Sequence, residues 1–404
     1  MKIYLITDKP YPNGMAATNR VKCYAKTIIH GGNDCEVIIF TRTERYGVTP
    51  WNTEGSGTAE GIPFQYIGGT PLRHANPFVR KFHDWHDIYL LKKHLKSHLH
   101  AGDIILTYCD KRVGLVNQLA DFAHQQGAKI VRDLCELPFG TSDETPKNIS
   151  GREDTFHTQF PRLDGVICIS DSLMKLASQF TCPSCKLIKI PILVDFPKYE
   201  LPDLSDEAEV PYIFHAGTLT DQKDGILGLL EGFAIARQRY GQPFRFLSTG
   251  YLEKSSQCKA IKALISQYGI ENDVSFLGYL SEKELRDRLS HATMVVINKA
   301  PTQQNRYCFA TKTAEYLAAS KPLITTRVGE AMNWLVHGQS AVMVDHSSPG
   351  QIADAIITLL TDPLFRKKIG AGGKKLCKEA FDYTNYGETL SSFFHSLYDE
   401  EQRS

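Results

Sequence analysis

The chain contains 404 residues, of which 42% are hydrophobic and 23% charged, and this is the composition of a globular protein with more than one core. Such a composition excludes extensive disorder. With 46 basic and 45 acidic side chains the net charge is +1, so charge supplies no drive toward nucleic acid and we expect no nucleic-acid partner.

The N-terminal region shows no sign of a secretion signal. The apolar run after Met1 ends at Thr7, and no later apolar run approaches the roughly 20 residues that cross a bilayer. We therefore expect a cytoplasmic protein. The ten cysteines have no repeating spacing, and the pair Cys182 and Cys185 lacks the second pair that a zinc site needs, so we expect no metal site there.

The first half of the chain alternates short apolar runs with turns and amphipathic stretches. The apolar runs are residues 3–7, 35–41, 103–108, 129–133, 165–170 and 187–190. Because buried strands that alternate with helices form parallel sheets covered on both faces, the pattern predicts a doubly wound α/β domain over residues 1–200.

The same pattern restarts after a proline- and acid-rich stretch that ends near residue 210. It predicts a second doubly wound domain over residues 201–382, with helices that include 225–238 and 312–319. Its strands are predicted at residues 211–217, 244–248, 273–276, 294–298, 322–326 and 341–344. Because ligands bind at the carboxyl ends of parallel strands, two such domains in tandem predict a site in a cleft between them.

The last segment, residues 383–404, has apolar side chains at helical spacing: Leu390, Phe393, Phe394 and Leu397. This spacing predicts a helix with one buried face. The spacing allows the helix to pack on either domain, including back on the N-terminal one.

Residues 217–225 have the features of an anion site. They form a turn before the predicted helix 226–238, whose free N–H groups and positive end suit a phosphate, and Lys223 adds a full charge. In the alternative interpretation, Lys223 is a solvated loop lysine.

Residues 305–322 contain a second candidate anion site. Thr311 can cap a helix that carries Lys312 in its first turn and Glu315 in its second. A cation in the first turn opposes the helix dipole, and an anionic ligand at that end would explain it. The alternative is an exposed ion pair between Lys312 and Glu315 of slight value.

In order and context, residues 217–225, 244–250, 274–280 and 309–322 resemble the C-terminal domain of family 4 glycosyltransferases. Residues 10–20 resemble the glycine loop of that family, and residues 166–172 and 190–195 resemble two further segments, so the resemblance extends over nearly the whole chain. It implies the GT-B architecture, in which two tandem Rossmann-like domains face a cleft.

The resemblance further implies transfer of a sugar, with retention of anomeric configuration, from a nucleotide-sugar donor that is UDP- or GDP-linked. The implied acceptor is a glycan or a lipid-linked glycan, because similar versions of residues 309–318 occur in enzymes of surface polysaccharide assembly. Neither a metal nor a cofactor is implied.

The resemblance also assigns roles to residues of the donor site. Lys223 would hold the diphosphate, Lys312 would face the phosphates, and Glu315 matches the second glutamate of the E-x7-E motif, which accepts the ribose hydroxyls. Tyr279 falls where the base-binding loop begins. The other implied donor contacts are Gly217, Thr218, Gly250, Tyr307, Phe309 and Thr311.

Two positions depart from the family pattern. Thr218 stands where the family has an arginine, and Tyr307 stands where it has the first glutamate of E-x7-E. Loss of the guanidinium removes a bidentate phosphate clamp, so Lys312 or Arg306 must compensate for it. Without that glutamate, the pattern does not identify the residue that recognises the donor sugar.

The N-terminal domain would contribute the acceptor site and a catalytic carboxylate. Asp133 and Glu136 follow a buried strand where many family members carry a histidine, so Glu136 is a candidate to steer the acceptor hydroxyl. Its alternative role is a turn cap. The candidate acceptor-binding residues on the first loop are Asn13, Gly14, Met15 and Arg20, and Gly14 permits close backbone approach.

Residues 78–100 combine basic side chains with aromatic ones such as Phe82 and Trp85. A helix of this kind can lie on the anionic inner face of a membrane, which would suit a lipid-linked acceptor. Because Asp84 and Asp87 interrupt the positive charges, an ordinary surface helix that packs its apolar stripe inward is the favoured alternative.

Other functional classes stay open. A sugar-nucleotide 2-epimerase shares the architecture, and the departures at Thr218 and Tyr307 are compatible with a non-catalytic nucleotide-sugar-binding protein. Release of nucleoside diphosphate on addition of an acceptor would separate these classes from a transferase. A dinucleotide oxidoreductase is disfavoured because residues 13–17 lack the G-x-G-x-x-G spacing.

Overall fold

The computed structural model describes residues 1–109, 112–140, 145–346 and 348–399, which form two compact units. Unit 1 comprises Met1–Leu193 together with the chain from Tyr383 onward, and unit 2 comprises Val194–Asp382. The first boundary therefore lies a few residues before the predicted one, because residues 194–200 pack within unit 2. The segment after Asp382 belongs to unit 1.

Unit 1 is built on a sheet to which the described residues contribute eight strands. They are β1 (Lys2–Thr7), β2 (Asp34–Ile39), β3 (Ser56–Ala59), β4 (Ile62–Tyr66), β5 (Ile104–Tyr108), β6 (Lys129–Leu134), β7 (Gly165–Cys168) and β8 (Lys186–Lys189). Their order across the sheet is β3-β4-β2-β1-β5-β6-β7-β8, and only the β3–β4 pair is antiparallel. Ile3 pairs with Cys35 on one side and with Ile104 on the other.

Unit 2 contains a sheet of six parallel strands, counted over the same described ranges. They are β9 (Tyr212–His215), β10 (Arg245–Ser248), β11 (Val274–Phe276), β12 (Met294–Ile297), β13 (Leu323–Thr326) and β14 (Val342–Val344). The order β11-β10-β9-β12-β13-β14 is that of a doubly wound Rossmann sheet, whose topological switch point lies between β9 and β12. Ligands are expected at the carboxyl ends of these two strands.

Helices cover both sheets. Before unit 2 the chain forms α1 (Ala16–His30), α2 (Pro77–His98), α3 (Val113–Gln125), α4 (Pro146–Asp154) and α5 (Asp171–Ala177). Unit 2 contains α6 (Phe196–Tyr199), α7 (Asp221–Asp224), α8 (Ile226–Tyr240), α9 (Cys258–Tyr268), α10 (Glu282–His291), α11 (Gln303–Tyr307), α12 (Lys312–Ala318), α13 (Pro349–Thr361) and α14 (Pro363–Ala380). The last helix is α15 (Gly387–Ser396), in unit 1.

Each unit has its own hydrophobic core. In unit 1, Leu390 and Phe394 of α15 are fully buried and join the cluster formed by β1, β2 and α1. In unit 2, Phe233 of α8 and Ile356 of α13 are buried over the sheet. Within the part of the chain that the structure describes, no helix is both long enough and apolar enough to cross a membrane.

Candidate functional site

Three loops of unit 2 meet beyond the carboxyl ends of β9, β10 and β11. The Gly217 N–H donates to Thr249 Oγ1 at 3.2 Å, which links the first two loops. Gly250 and Gly278 exchange backbone hydrogen bonds of 2.7 and 3.2 Å, which link the second loop to the third. The sequence-predicted residues Gly217, Thr218, Gly250 and Tyr279 are thus brought to one edge of the sheet.

Gly250 is a position in these loops where a side chain would be strained. Its φ is +96°, a conformation that side chains rarely adopt, and a Cβ there would lie 3.0 Å from the Leu219 side chain. Glycine therefore allows the β10 loop to approach the β9 loop closely. Beside it, Tyr279 is 37% exposed, so its ring is accessible from solvent.

Asp224 and Lys299 form an ion pair of 2.9 Å at the topological switch point. Asp224 comes from the β9 side, and Lys299 follows β12. The other Asp224 oxygen accepts hydrogen bonds from the Thr218 N–H at 2.6 Å and from Thr218 Oγ1 at 2.8 Å. Burial would raise the pKa of Asp224, but the Lys299 and His215 charges and the hydrogen bonds from Lys299 and Thr218 outweigh it and hold the pKa below its ordinary value.

The start of α8 is less open than the sequence predicts. The helix does begin at Ile226, but the short helix α7 precedes it, and the Leu227 N–H donates to the Asp221 carboxylate at 3.2 Å. A carboxylate of the chain therefore already occupies part of this helix end. Lys223 lies in α7 and is exposed, and no described residue forms an ion pair with it.

Lys312 and Glu315 lie at the start of α12 and form an ion pair of 2.7 Å. The alternative of an exposed pair is wrong, because Glu315 is only 4% exposed. The next residue, Tyr316, accepts a hydrogen bond from the Ala216 N–H at 2.8 Å through its hydroxyl, and this contact ties α12 to the end of β9. The pair therefore belongs to the same sheet edge as Gly217.

Two predicted donor-site residues, Thr311 and Phe309, sit differently from expectation. The Thr311 side chain makes no capping hydrogen bond, because its backbone is already helical (φ −57°, ψ −33°) and α12 begins without a cap from it. Phe309 is 4% exposed and packs its ring against Phe381, so its side chain is part of the core. Tyr307 ends α11 and is half-buried.

Sequence reasoning missed two acids and a lysine at this edge. Asp224 and Lys299 are 75 residues apart, and only the adjacency of β9 and β12 brings them together. The available signal was that Lys299 follows a buried strand. Glu330, after β13, is 2% exposed and accepts hydrogen bonds from Asn333 and Trp334, both at 3.1 Å.

In unit 1, the loop after β1 is held by a reciprocal contact. Asn13 donates its backbone N–H to Asn52 Oδ1 at 2.8 Å, and Asn52 Nδ2 donates to the Asn13 carbonyl at 2.9 Å. A Cβ on Gly14 would overlap Thr18 Oγ1, so glycine is required for this turn into α1. Met15 is 66% exposed directly before the helix.

The prediction that Arg20 lies on this loop is wrong. Arg20 lies in α1 and is 4% exposed, because its guanidinium forms a bidentate ion pair with Asp133, with Nε–Oδ2 and Nη2–Oδ1 distances of 2.7 and 2.6 Å. It also donates to the Tyr24 hydroxyl at 3.0 Å. The pair is internal to unit 1 and uses the carboxylate of Asp133. Glu136, two residues after β6, is half-buried.

The favoured alternative for α2, a surface helix that packs its apolar stripe inward, holds for two leucines but not for the aromatic side chains. Its buried residues are Asp87, Leu91 and Leu95. An exposed aromatic stripe follows one face of the helix, formed by Phe78 (84% exposed), Phe82 (59%), Trp85 (66%) and Tyr89 (54%). Over the described ranges, no group of three or more His, Cys, Asp or Glu side chains is placed to hold a metal ion.

Comparison with known proteins gives a family match over unit 2. Residues 210–362 match the family model described as "Glycosyl transferases group 1". An uncharacterized glycosyltransferase of Bacillus subtilis is 24% identical over 212 residues, which are 52% of this chain and 55% of that protein. The capsular polysaccharide biosynthesis glycosyltransferase CapM of Staphylococcus aureus is 25% identical over 258 residues, 59% of this chain and 63% of that protein. The chain thus spans less than two thirds of the length of these relatives.

A solved structure is similar over nearly the whole chain. The Anabaena protein HepE, solved in complex with UDP and glucose, superposes with a TM-score of 0.70 at 16% identity and covers 98% of this chain and 100% of its own. At that identity the likeness shows the fold. The α/β architecture with doubly wound parallel sheets that the sequence predicts is confirmed.

Proposed function

We propose that the chain is a glycosyltransferase that moves a sugar from a UDP- or GDP-linked donor to a glycan or lipid-linked acceptor in polysaccharide assembly. One observation carries the proposal. The family match, residues 210–362, contains every donor-site residue predicted from the sequence, and the loops of Gly217 and Gly250 and the Lys312–Glu315 pair at the start of α12 lie at one sheet edge. The capsular role in the name of CapM and the UDP and glucose bound by HepE support the substrate class.

The charges at this edge fit a nucleoside diphosphate as leaving group. Lys312 is the more exposed member of its pair, with 22% of its side chain accessible against 5% for Glu315, so its ammonium can contact a phosphate while Glu315 accepts ribose hydroxyls. Lys299 supplies a second ammonium at the switch point, and Lys223 a third on the surface. These cations stabilise the negative charge that grows on the departing diphosphate.

The proposal assigns no cofactor and no metal. Positive charge grows at the anomeric carbon as the diphosphate departs, and the donor phosphate itself can take the proton of the acceptor hydroxyl. Transfer then proceeds with retention of configuration. Glu136 and the loop of Asn13, Gly14 and Met15 are proposed to act on the acceptor side, whereas buried Arg20 acts only through the fold of unit 1.

The proposal also specifies where in the cell the transfer takes place. We assign the protein to the cytoplasm, where its exposed aromatic stripe on α2 contacts the inner face of the membrane. Phe82 and Trp85 have ring centroids 6.3 Å apart, and Trp85 stacks on Tyr89 at 6.4 Å, so the stripe presents one continuous apolar surface. Lys81 and Lys93 on the same helix are exposed and suit anionic lipid.

Donor binding is tested by thermal shift with UDP and GDP at 100 times their dissociation constants, where binding adds about 2.7 kcal/mol of stability. We expect Glu315→Gln and Lys312→Gln to abolish or strongly reduce the shift measured from each variant's own melting temperature. Glu271→Gln and Lys259→Gln are the matched controls, because both side chains are exposed elsewhere in unit 2. Full shifts in the first pair, or no shift with either nucleotide in the wild type, contradict the proposal.

A further inference from the structure

Unit 1 contains a cationic cavity that none of the donor- or acceptor-site residues predicted above lines. Its volume is about 320 Å³. Four arginines and two histidines surround it: Arg42, Arg73, Arg80, Arg112, His74 and His83. This cavity is called the arginine cavity below.

The arginine cavity carries an excess of positive charge. Asp84 is the acidic residue among the lining side chains that the structure describes. The positive charge of Arg42 is balanced by a buried carboxylate, since its Nε lies 3.1 Å from Oδ2 of buried Asp87. Among the described residues, Arg73, Arg80 and Arg112 have no ion-pair partner. Several like charges around one concavity repel each other, so an anion bound there gains from all of them.

The fold holds these side chains in place. Arg42 follows β2, and Arg73 donates from Nε to the Arg42 carbonyl at 2.5 Å, which fixes the Arg73 guanidinium beside the Arg42 backbone. Arg80 and His83 lie three residues apart, and hence on one face, in the first two turns of α2. Their end of this 22-residue helix is the positive end of its dipole.

A histidine of the cavity wall adds polar groups to those of the arginines. His83 Nδ1 is buried, and no described residue forms a hydrogen bond with it. A buried ring nitrogen without a partner costs free energy, which a hydrogen bond would recover. His74 is next to it, with its ring centroid 6.2 Å from that of His83.

The shape of the donors favours phosphate. A guanidinium presents a planar fork of N–H groups that matches the oxygens of a phosphate. Three guanidinium groups that have no acidic partner within the described ranges suit a group with two or more negative charges. A volume of about 320 Å³ lies within the range of small-molecule sites and exceeds what one phosphate fills. The cavity therefore has room for a diphosphate, or for a phosphate with the sugar attached to it.

We propose that the arginine cavity binds the phosphate or diphosphate group of the acceptor substrate, so that the acceptor is a phosphorylated molecule. The identification of the ligand as the acceptor rests on the proposed function, whereas the anion site itself does not depend on that function. Two sources share this chemistry. One is a lipid diphosphate that carries a glycan, and the other is a free sugar phosphate.

The anion site is tested by titration calorimetry of the full chain with inorganic pyrophosphate. We expect the double variant Arg73→Gln/Arg80→Gln to bind pyrophosphate at least tenfold more weakly than the wild type, because each lost guanidinium removes charge-assisted hydrogen bonds. The matched control is Arg45→Gln/Lys81→Gln, which removes the same charge from exposed positions of unit 1 outside the cavity. Equal affinities for the two double variants overturn the proposal.

The nucleotide site of unit 2 could also take pyrophosphate, so Lys312→Gln is titrated in parallel. The Arg73→Gln/Arg80→Gln variant should keep its full thermal shift with UDP or GDP, which also shows that it is folded. If no nucleotide shifts the wild type while pyrophosphate binding still depends on Arg73 and Arg80, the proposed function fails and the anion site stands. If pyrophosphate binding depends only on Lys312, the anion site fails.

Two further titrations identify the source of the phosphate. One uses phosphatidylcholine vesicles with and without a polyprenyl diphosphate, and the other uses glucose 1-phosphate in solution. Added vesicle binding that depends on the diphosphate lipid and is lost in Arg73→Gln/Arg80→Gln assigns a lipid-linked acceptor. Binding of glucose 1-phosphate that is lost in the same variant assigns a free sugar phosphate. If Arg73→Gln/Arg80→Gln loses neither the vesicle binding nor the glucose 1-phosphate binding, the assignment of the cavity to an acceptor is overturned.

Discussion

Asp224 links the loop after β9 to the residue that follows β12 at the candidate donor edge. It accepts from the Thr218 backbone and hydroxyl and pairs with Lys299 across the switch point. We expect Asp224→Asn to destabilise the protein by about 3–5 kcal/mol at pH 7, because it leaves the Lys299 charge partly buried without its partner. Urea unfolding measures the loss, with exposed Asp206→Asn as the control.

The pH dependence of that loss has a definite sign. The pKa of Asp224 in the fold lies below the value of 3.8 for the free side chain, so its ionised form is the one that stabilises the fold. Its contribution is fully present above about pH 4 and is lost as the pH falls toward the lowered pKa. The free-energy gap between wild type and Asp224→Asn should therefore narrow below about pH 4. A free-energy gap that widens below pH 4 would contradict the conclusion that ionised Asp224 stabilises the fold.

How far the site can be predicted from sequence depends on separation along the chain. Lys312 and Glu315 are three residues apart, so helix geometry alone places them together, and the structure shows them paired. Asp224 and Lys299 are 75 residues apart, and Arg20 and Asp133 are 113 apart. Those pairs depend on which strands become neighbours, and side-chain patterns do not encode strand order. Arg20 was therefore placed on a surface loop although it is buried.

Strands were predictable where burial is continuous. Strand β1 has five buried residues in succession and β5 is buried throughout, so both stand out as apolar runs. Strands β3 and β4 were not predicted, because β3 consists of small, mostly exposed residues at the sheet edge and β4 alternates buried and exposed positions around a proline. The short helix α7 also escaped prediction, since four residues carry no periodicity.

Helix α14 makes contacts so close that a side chain on one of its glycines would destabilise the fold. A Cβ on Gly370 would lie 2.3 Å from the Ser320 carbonyl oxygen, which is backbone and cannot rotate away. We expect Gly370→Ala to cost about 1–3 kcal/mol, because α14 must move off the end of α12. Gly350→Ala in α13 is the control: its Cβ meets nothing within 4 Å, and the change should be neutral or gain up to about 1 kcal/mol. Denaturant unfolding of both variants measures the difference, and equal effects would refute the close contact.

The two units differ in how the chain builds them. Unit 2 is one continuous stretch, Val194–Asp382, whereas unit 1 needs the chain from Tyr383 onward to complete its core. Residues near both ends of the sequence therefore meet in unit 1: Asn33 Nδ2 donates to Ser391 Oγ at 3.0 Å. The amphipathic spacing in α15 identified its buried face, but the same spacing fits a groove on either unit, and so the sequence left the choice open.

The contribution of α15 to unit 1 can be measured with two phenylalanines. Phe394 is fully buried among residues of unit 1, and Phe82 is 59% exposed on α2. We expect Phe394→Ala to cost about 3–5 kcal/mol through lost burial and the cavity that remains, and Phe82→Ala to change the stability by no more than about 0.5 kcal/mol.

Hydrogen exchange then locates the loss of stability in the fold. Amides of β1, β2 and β5 should exchange faster in Phe394→Ala, because these strands share a hydrophobic core with α15. Amides of β9 and β12 should keep their exchange rates, because the core of unit 2 contains no residue of α15. Faster exchange in β9 and β12 alone would mean that α15 supports unit 2, and the division of the chain at Asp382 would then be wrong.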